Sequence, residues 1–163
     1  MDNLAKQILK DVALEGIAPR IRKKSPIGQI DHWSPAILLE RAAYLKKMAR
    51  YGDGSATETL REYPQHIALL SFRSRDSEAE MYQDFAVVFF ALAGAATLVT
   101  GGALTNARSV EPGLSRGASI GGGTRQDLRA GEIAHVPAGL PHQILVTGEK
   151  TITCFVIKIQ EAV

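Results

Sequence analysis

The most distinctive chemical feature of the sequence is a histidine, His142, that follows a turn built from proline and glycine. The segment from Gly131 to His142 reads Gly-Glu-Ile-Ala-His-Val-Pro-Ala-Gly-Leu-Pro-His. A glycine turn precedes a short strand, Pro137 ends that strand, and Gly139 permits the chain to reverse. Pro141 then stiffens the entry into the next strand, which begins at His142. The pattern therefore delivers one imidazole, a common metal ligand, to a fixed place.

This segment resembles the second motif of the cupin superfamily, which reads Gly, five residues, Pro-x-Gly-x-x-His, three residues, Asn. Every position is met except the last, where Val146 stands in place of Asn. The first cupin motif is Gly, five residues, His-x-His, three or four residues, Glu, six residues, Gly. When its final glycine is placed on Gly94, the glutamate position falls on Val87, and the two histidine positions fall on Tyr82 and Glu80.

The resemblance covers roughly residues 65–160 and implies a double-stranded β-helix with a pocket at one mouth of the barrel. In metal-bearing cupins three histidines and a carboxylate meet there on one metal ion. Here His142 keeps its ligand position, Glu80 could coordinate through oxygen, and Val87 cannot coordinate. A first-row divalent metal held by imidazole usually takes three or more protein ligands. We therefore predict either no metal or a weakly bound divalent transition metal, with His142 and Glu80 as its candidate ligands.

The predicted pocket or ligand-binding residues are His142, Tyr82, Glu80 and His135. Three of them have plain structural alternatives. A single histidine at a strand start, as His142 is, is often a hydrogen-bonded structural residue. Tyr82 could fill the barrel mouth with its ring, its hydroxyl bonded to His142 or Glu80, and Glu80 lies in a charged run typical of a solvated strand edge. His66 and His135 are candidates to supplement the ligand set, although the sequence does not fix the face on which His135 lies.

Two functional hypotheses of different classes follow from this resemblance. The first is a small-molecule-binding or structural barrel without a tightly bound metal, because the positions of Tyr82 and Val87 have lost their ligands. The alternative is a metal-dependent cupin enzyme of the oxygenase, isomerase or decarboxylase type. It would act on a small oxygenated substrate through the reduced ligand set. The intact turn before His142 favours this second hypothesis.

A second catalytic motif, Gly-x-Ser-x-Gly, occurs in two overlapping copies over residues 113–121. In serine hydrolases this motif forms a sharp turn between a buried strand and a helix. Neither copy has an apolar run before it or helical periodicity after it. We therefore interpret residues 113–121 as a glycine-rich loop and not as a nucleophile site.

The elements that position these residues are strands, because from about residue 65 the apolar pattern is that of short β-prone runs separated by glycine and proline. Such spacing without intervening helices indicates an antiparallel sandwich or barrel. The predicted strands are 66–72, 85–92, 95–100, 133–136, 143–146 and 151–159. The fold class is therefore all-β, a double-stranded β-helix of the cupin or jelly-roll type with an N-terminal helical extension, the barrel spanning residues 61–163.

Residues 1–60 form the predicted helical arm. Leu4, Ile8 and Val12 recur at helical spacing, and Gly16 is placed to end that helix. A second helix is predicted to start at Ser34-Pro35, a capping hydroxyl followed by a ring already set to a helical φ. It closes around residues 51–54.

Composition limits the remaining possibilities. The chain has 163 residues, 45% of them hydrophobic, which suits a single domain with a full core. A net charge of +2 gives no global field toward nucleic acid or an anionic membrane, so neither is expected as a partner. No apolar run approaches a membrane span. The lone Cys154 and the polar first residues favour a cytoplasmic location.

A homodimer is also expected. Cupin barrels commonly pair through their sheets. The apolar run 85–92 requires cover on both faces, which either the N-terminal helices or a second subunit could provide. The second predicted helix adds an apolar stripe that must be buried somewhere, namely Ile37, Leu38, Leu45 and Met48.

Overall fold

The computed structural model describes residues 28–161. One α-helix, α1 (Pro35–Ala49), precedes an antiparallel β structure. The strands are β1 (Ser55–Glu62), β2 (His66–Arg73), β3 (Ala79–Tyr82), β4 (Phe85–Thr100), β5 (Ala103–Thr105), β6 (Arg108–Glu111), β7 (Leu114–Gly117), β8 (Ser119–Gly121), β9 (Thr124–Arg129), β10 (Ile133–Val136), β11 (His142–Leu145) and β12 (Ile152–Gln160).

The helix begins where the sequence predicts. Ser34 has extended backbone angles, and its Oγ accepts a hydrogen bond from the N–H of Ile37 at 3.2 Å. Leu38, Ala42 and Leu45 are buried against β1 and β2. Two of the predicted stripe residues, Leu38 and Leu45, are thus covered within the same chain, so this part of the argument for a dimer is corrected. The first predicted helix, around Leu4 and Ile8, lies outside the described residues.

The strands form two walls that share β4. Its first half pairs with β12 and β10, and its second half pairs with β9 and β11. Strands β2 and β1 extend the first wall beyond β12, and strands β3, β7 and β6 extend the second wall beyond β11. The main core lies between the two walls and includes Leu69, Val87 and Phe89.

β4 corrects the prediction of separate strands at 85–92 and 95–100. The chain stays extended through Gly94 and crosses from one wall to the other, with a bulge where Thr153 pairs with Ala93 and Cys154 pairs with Ala91. Gly94 has φ +78°, and a Cβ atom there would lie 1.9 Å from the carbonyl oxygen of Thr151. Glycine at this point therefore permits a bend within one strand instead of ending the strand.

Two further segments differ from the sequence prediction. β1 starts at Ser55, so the predicted boundary after residue 60 falls inside a strand; the division into arm and barrel remains a prediction. The glycine-rich segment 113–121, predicted as a loop, contains the short strands β7 and β8. Strand β8 follows Ser115 where the hydrolase motif needs a helix, so this segment does not form a nucleophile turn.

Candidate functional site

A cavity of about 570 Å³ lies between the two walls, next to the turn that precedes β11. Its floor is apolar, made by core residues such as Leu69, Val87 and Phe89. Its polar side is contributed by strands β1, β2, β3, β7 and β12, by the start of β11 and by the segments before β1 and β3. The polar lining residues are Asp53, Ser55, Thr57, Ser71, Arg73, Asp76, Ser77, Glu78, Glu80, Tyr82, Arg116, His142 and Lys158.

Three of the four predicted pocket residues meet in this cavity. His142, at the start of β11, pairs across strands with Glu80 on β3. Tyr82 lies two residues further on the same face of β3, because side chains alternate along a strand. Val87, which occupies the predicted glutamate position, also lines the cavity and is 2% exposed. The register inferred from Gly94 therefore brings together the residues that the sequence comparison aligned.

His142 is buried among aromatic rings. Its ring centroid lies 6.1 Å from that of Tyr82 in a stacked arrangement and 5.8 Å from that of Phe89 in an edge arrangement. The Nε2 atom is 3.9 Å from Oε2 of Glu80, and Nδ1 has no hydrogen-bond partner within residues 28–161. Burial lowers the pKa of His142, although the nearby Glu80 carboxylate opposes this shift. The imidazole is therefore neutral at pH 7.

A chain of hydrogen bonds crosses the cavity from an ammonium group to a carboxylate. Nζ of Lys158 donates to the hydroxyl of Tyr82 at 2.6 Å and lies 4.3 Å from the centre of its ring. The hydroxyl of Tyr82 in turn donates to Oε2 of Glu80 at 3.4 Å. Arg116 holds the other oxygen of Glu80, with its Nη2 atom 3.0 Å away. Glu80 is thus a fixed acceptor at the centre of the site.

The pKa values of Lys158 and Tyr82, two members of this hydrogen-bond chain, shift in the direction that burial imposes. Burial lowers the pKa of Lys158, with the Glu80 carboxylate opposing the shift. Burial also raises the pKa of Tyr82 well above its usual range, and the charge of Glu80 adds to this effect. The phenol therefore stays protonated, and the ammonium is its hydrogen-bond donor.

The donor set does not fit the metal centre that a cupin fold implies. Within residues 28–161, no group of three or more His, Cys, Asp or Glu side chains is arranged to hold a metal ion. His142 and Glu80 are the nearest approach to one, and both oxygens of Glu80 already accept hydrogen bonds. Val87 offers no ligand atom. The ammonium group of Lys158, hydrogen-bonded to Tyr82, would repel a metal cation.

The remaining two predicted histidines lie outside the cavity. His135 pairs with Val88 on the outer side of β10 and is exposed, so its predicted place in the pocket is corrected. The neighbouring Val136 points inward instead, since strand residues alternate between faces. His66 stacks on Tyr63 with ring centroids 4.2 Å apart. Neither imidazole supplements the ligand set.

Sequence reasoning missed the three cationic residues of the cavity, which are Arg73, Arg116 and Lys158. Arg73 belongs to the charged run taken as a strand edge, and Arg116 lies in the segment taken as a loop. Lys158 carried a usable signal. It follows Cys154 and Val156 at alternate positions of a mostly apolar strand, which places it on their inward face.

Comparisons with known proteins agree with this architecture. No protein-family model matches the sequence, and no curated protein matches it either. Among solved structures, the chain is similar to TT1209 from Thermus thermophilus, with 18% identity, a TM-score of 0.50, and coverage of 72% of this chain and 95% of that one. It is also similar to the cupin domain of Cnp3 from Schizosaccharomyces pombe, with 13% identity, a TM-score of 0.49, and coverage of 66% and 65%.

A third similar structure is an uncharacterised Klebsiella pneumoniae protein with a double-stranded β-helix domain, with 12% identity, a TM-score of 0.47, and coverage of 65% and 76%. The chain has the cupin fold, an antiparallel sheet curled into a double-stranded β-helix, as the sequence predicts. Identities this low show the fold alone. No helix within residues 28–161 is long and apolar enough to cross a membrane.

Proposed function

We propose that this cupin-fold protein binds a small organic molecule in its barrel without a tightly bound metal. The observation that carries the proposal is the hydrogen-bond chain from Lys158 through Tyr82 to Glu80 beside His142. It places a fixed ammonium group among the residues that the cupin motifs align with metal ligands. The site therefore offers a polar binding surface in place of a coordination sphere.

The size and lining of the cavity support binding of a small molecule. Its volume of about 570 Å³ falls in the usual range for such sites, roughly 300–1,000 Å³. An apolar floor with a few convergent polar groups is the usual composition of a ligand pocket. His142, Tyr82 and Glu80 supply polar contacts, while Phe89 and Leu69 supply apolar contact area.

A screen of small polar molecules by thermal shift, carried out in a metal chelator, tests this proposal. We expect compounds that raise the melting temperature of the wild type but not that of Ser71→Phe, whose new ring would fill the cavity. Ser109→Phe, at an exposed site on β6, is the matched control and should keep the response. Thr57→Phe, at the cavity mouth, replaces Ser71→Phe if that variant does not fold.

The alternative function, a metal-dependent enzyme, predicts a different result in the same screen. Compounds would then stabilise the protein only after a divalent transition metal is restored. The effect would also be lost in His142→Ala, which removes the aligned histidine ligand. That outcome would contradict binding without a metal.

We also propose that the protein is a homodimer that pairs through the outer surface of the first wall, and that it is located in the cytoplasm. Apolar side chains on neighbouring strands remain exposed there among the described residues. Phe90 is 37% exposed, its cross-strand neighbour Ile133 is 61% exposed, and Ile159 is 39% exposed. Apolar groups grouped in this way favour association.

A further inference from the structure

Three cationic side chains line the cavity, and two of them have no anionic partner within 4.0 Å among residues 28–161. Arg116 is paired with Glu80 at 3.0 Å and lies 3.9 Å from Glu78. No carboxylate of residues 28–161 lies within 4.0 Å of Nζ of Lys158, whose hydrogen bond goes to the neutral hydroxyl of Tyr82. The guanidinium of Arg73 likewise makes no hydrogen bond or ion pair with the described residues.

All four acidic residues of the same cavity accept close hydrogen bonds, and two of them, Glu78 and Glu80, are paired with arginines. Glu78 accepts from Arg108 at 2.6 Å, and Glu80 is held by Arg116 and Tyr82. The carboxylate of Asp53 accepts hydrogen bonds from the N–H and the hydroxyl of Ser55. The carboxylate of Asp76 accepts one from the N–H of Val146. The carboxylates of Asp53, Glu80 and Asp76 act on Arg73 only from a longer distance.

A cation without a close anion in a concave, partly apolar site is costly. Desolvation disfavours the charged form, and burial lowers the pKa of both Lys158 and Arg73. A bound anion would offset that cost through charge-assisted hydrogen bonds, which are shorter and stronger than neutral ones. Asp53 and Asp76 also lack an ion pair, but both are exposed, whereas Lys158 and Arg73 are partly buried. The partly buried charges of the cavity that have no ion pair with the described residues are therefore positive, and a partner for them would be negative.

We propose that the ligand of this cavity is a small organic anion whose carboxylate or phosphate group pairs with Lys158 and whose body lies on the floor formed by Leu69, Val87 and Phe89. Arg73, on β2, gives a second cationic contact to the polar side of the ligand. This inference rests on the proposed function, because it assumes that the cavity binds a small molecule. Beyond that function, it specifies that the bound molecule is negatively charged.

Benzoate and benzamide form a matched pair of probes, because the two have nearly the same shape and differ in charge. We expect isothermal titration calorimetry in a chelator at pH 7.5 to show benzoate binding at least about tenfold more tightly than benzamide, the ratio that one charge-assisted contact provides. Phenyl phosphate in a third titration decides whether the site prefers a phosphate or a carboxylate.

Lys158→Gln should lower the affinity for benzoate by about tenfold and leave that for benzamide unchanged. Arg73→Gln should have a smaller effect in the same direction, and Lys158→Arg should restore much of the binding. Lys150→Gln, at an exposed lysine outside the cavity, is the control and should bind as the wild type does. If Lys158→Gln does not fold, the dependence of wild-type binding on ionic strength is measured instead. Added salt should lower the affinity for benzoate and leave the affinity for benzamide unchanged.

Equal affinity for benzoate and benzamide, or benzoate binding that Lys158→Gln leaves intact, would overturn the anionic ligand while leaving a metal-independent pocket in place. Failure of both benzoate and phenyl phosphate to bind would overturn it too. Neutral compounds whose thermal shift is lost in Ser71→Phe would then still support the proposed function. Absence of any such compound would count against both proposals.

Discussion

At the scale of single residues, the inward row of β12 sets the character of the cavity. Cys154 is 1% exposed and burial raises its pKa to about 12, so this thiol acts as an apolar core residue and not as a nucleophile. Val156 continues the apolar surface, and Lys158 ends it with an ammonium group. One strand thus supplies part of the apolar floor, through Val156, and the charge that faces the ligand space.

The hydroxyl of Tyr82 links Lys158 to Glu80, so removing it should weaken the fold as well as the site. We expect Tyr82→Phe to lower the free energy of unfolding by about 1 kcal/mol or more, because the partly buried ammonium of Lys158 loses its hydrogen-bond partner. Tyr51→Phe, at a side chain 59% exposed, is the control and should change it little. Urea denaturation measures both; equal stability of Tyr82→Phe and wild type would show that the link contributes nothing.

The buried imidazole of His142 predicts a pH dependence of stability. Its pKa is lowered in the folded state, so between that value and the unfolded value, near 6.5, the unfolded chain binds more protons. Stability should therefore fall as the pH drops below about 6.5, with a slope of up to about 1.4 kcal/mol per pH unit from this group.

Denaturation curves from pH 7.5 to 5 test this dependence. His142→Phe keeps a ring beside Tyr82 and Phe89 but cannot bind a proton, so the slope should become shallower than in the wild type. His135→Phe, at an exposed imidazole, should keep the wild-type slope. Identical slopes for His142→Phe and wild type would contradict a neutral, buried His142.

At the scale of elements, β4 determines how the two walls meet. It is long enough to belong to both, and its bend at Gly94 brings the apolar residues Val87 and Phe89 under the start of β11. The carbonyl of Thr151 passes so close to Gly94 that no side chain fits between them. The backbone approach at this single point therefore fixes the shape of the cavity floor.

Gly94→Ala should accordingly be among the most damaging single substitutions in the chain. A Cβ 1.9 Å from the Thr151 oxygen cannot be accommodated without moving backbone, and φ is +78°. We expect a loss of several kcal/mol in the free energy of unfolding or a failure to fold. Gly131→Ala has a similar φ of +89° but open space around the Cβ, and should cost only about 1 kcal/mol. Comparable losses for both variants would contradict the close contact.

The sequence allowed part of this arrangement to be predicted. Strands rich in apolar residues, such as β2, were placed closely because burial of one face imposes a pattern on the sequence. β1 was missed because Ser55–Glu62 is mostly polar and is held by pairing with β2 and by an ion pair between Glu58 and Arg41 of the helix. Such long-range partners leave no local signal.

The candidate site divides in the same way. His142, Tyr82 and Glu80 could be aligned because the turn before β11 and the glycine at position 94 mark a register. That Arg73 and Lys158 form no ion pair with the described residues could not be predicted, because it depends on which carboxylates the fold brings within reach of each cation. Only the folded structure shows that Arg116 and not Lys158 pairs with Glu80.

At the scale of the whole molecule, the outer surface of the first wall remains incompletely covered by the described residues. Helix α1 covers Leu70 and Phe72 on β2 but leaves Phe90 and Ile133 exposed. The expected need for cover over β4 is therefore met only in part within the chain. This uncovered surface is the basis for the proposed homodimer.

Light scattering coupled to size-exclusion chromatography tests the dimer directly. We expect a mass of twice the 17.6 kDa of one chain at micromolar concentration. Ile133→Lys should shift the mass toward the monomer, because it places a charge within the apolar surface. Val110→Lys, at an exposed valine on β6, should leave the mass unchanged. A monomeric wild type would contradict the proposed interface.

Metal analysis of protein purified without chelator tests the central claim most directly. The protein is dialysed against Mn²⁺, Fe²⁺, Ni²⁺ and Zn²⁺ in turn, and the metal retained per chain is measured beside His142→Ala. The Lys158–Tyr82–Glu80 arrangement predicts far less than one ion per chain, the same in both proteins, and a melting temperature that chelation does not change. Retention of about one ion per chain that is lost in His142→Ala would contradict it.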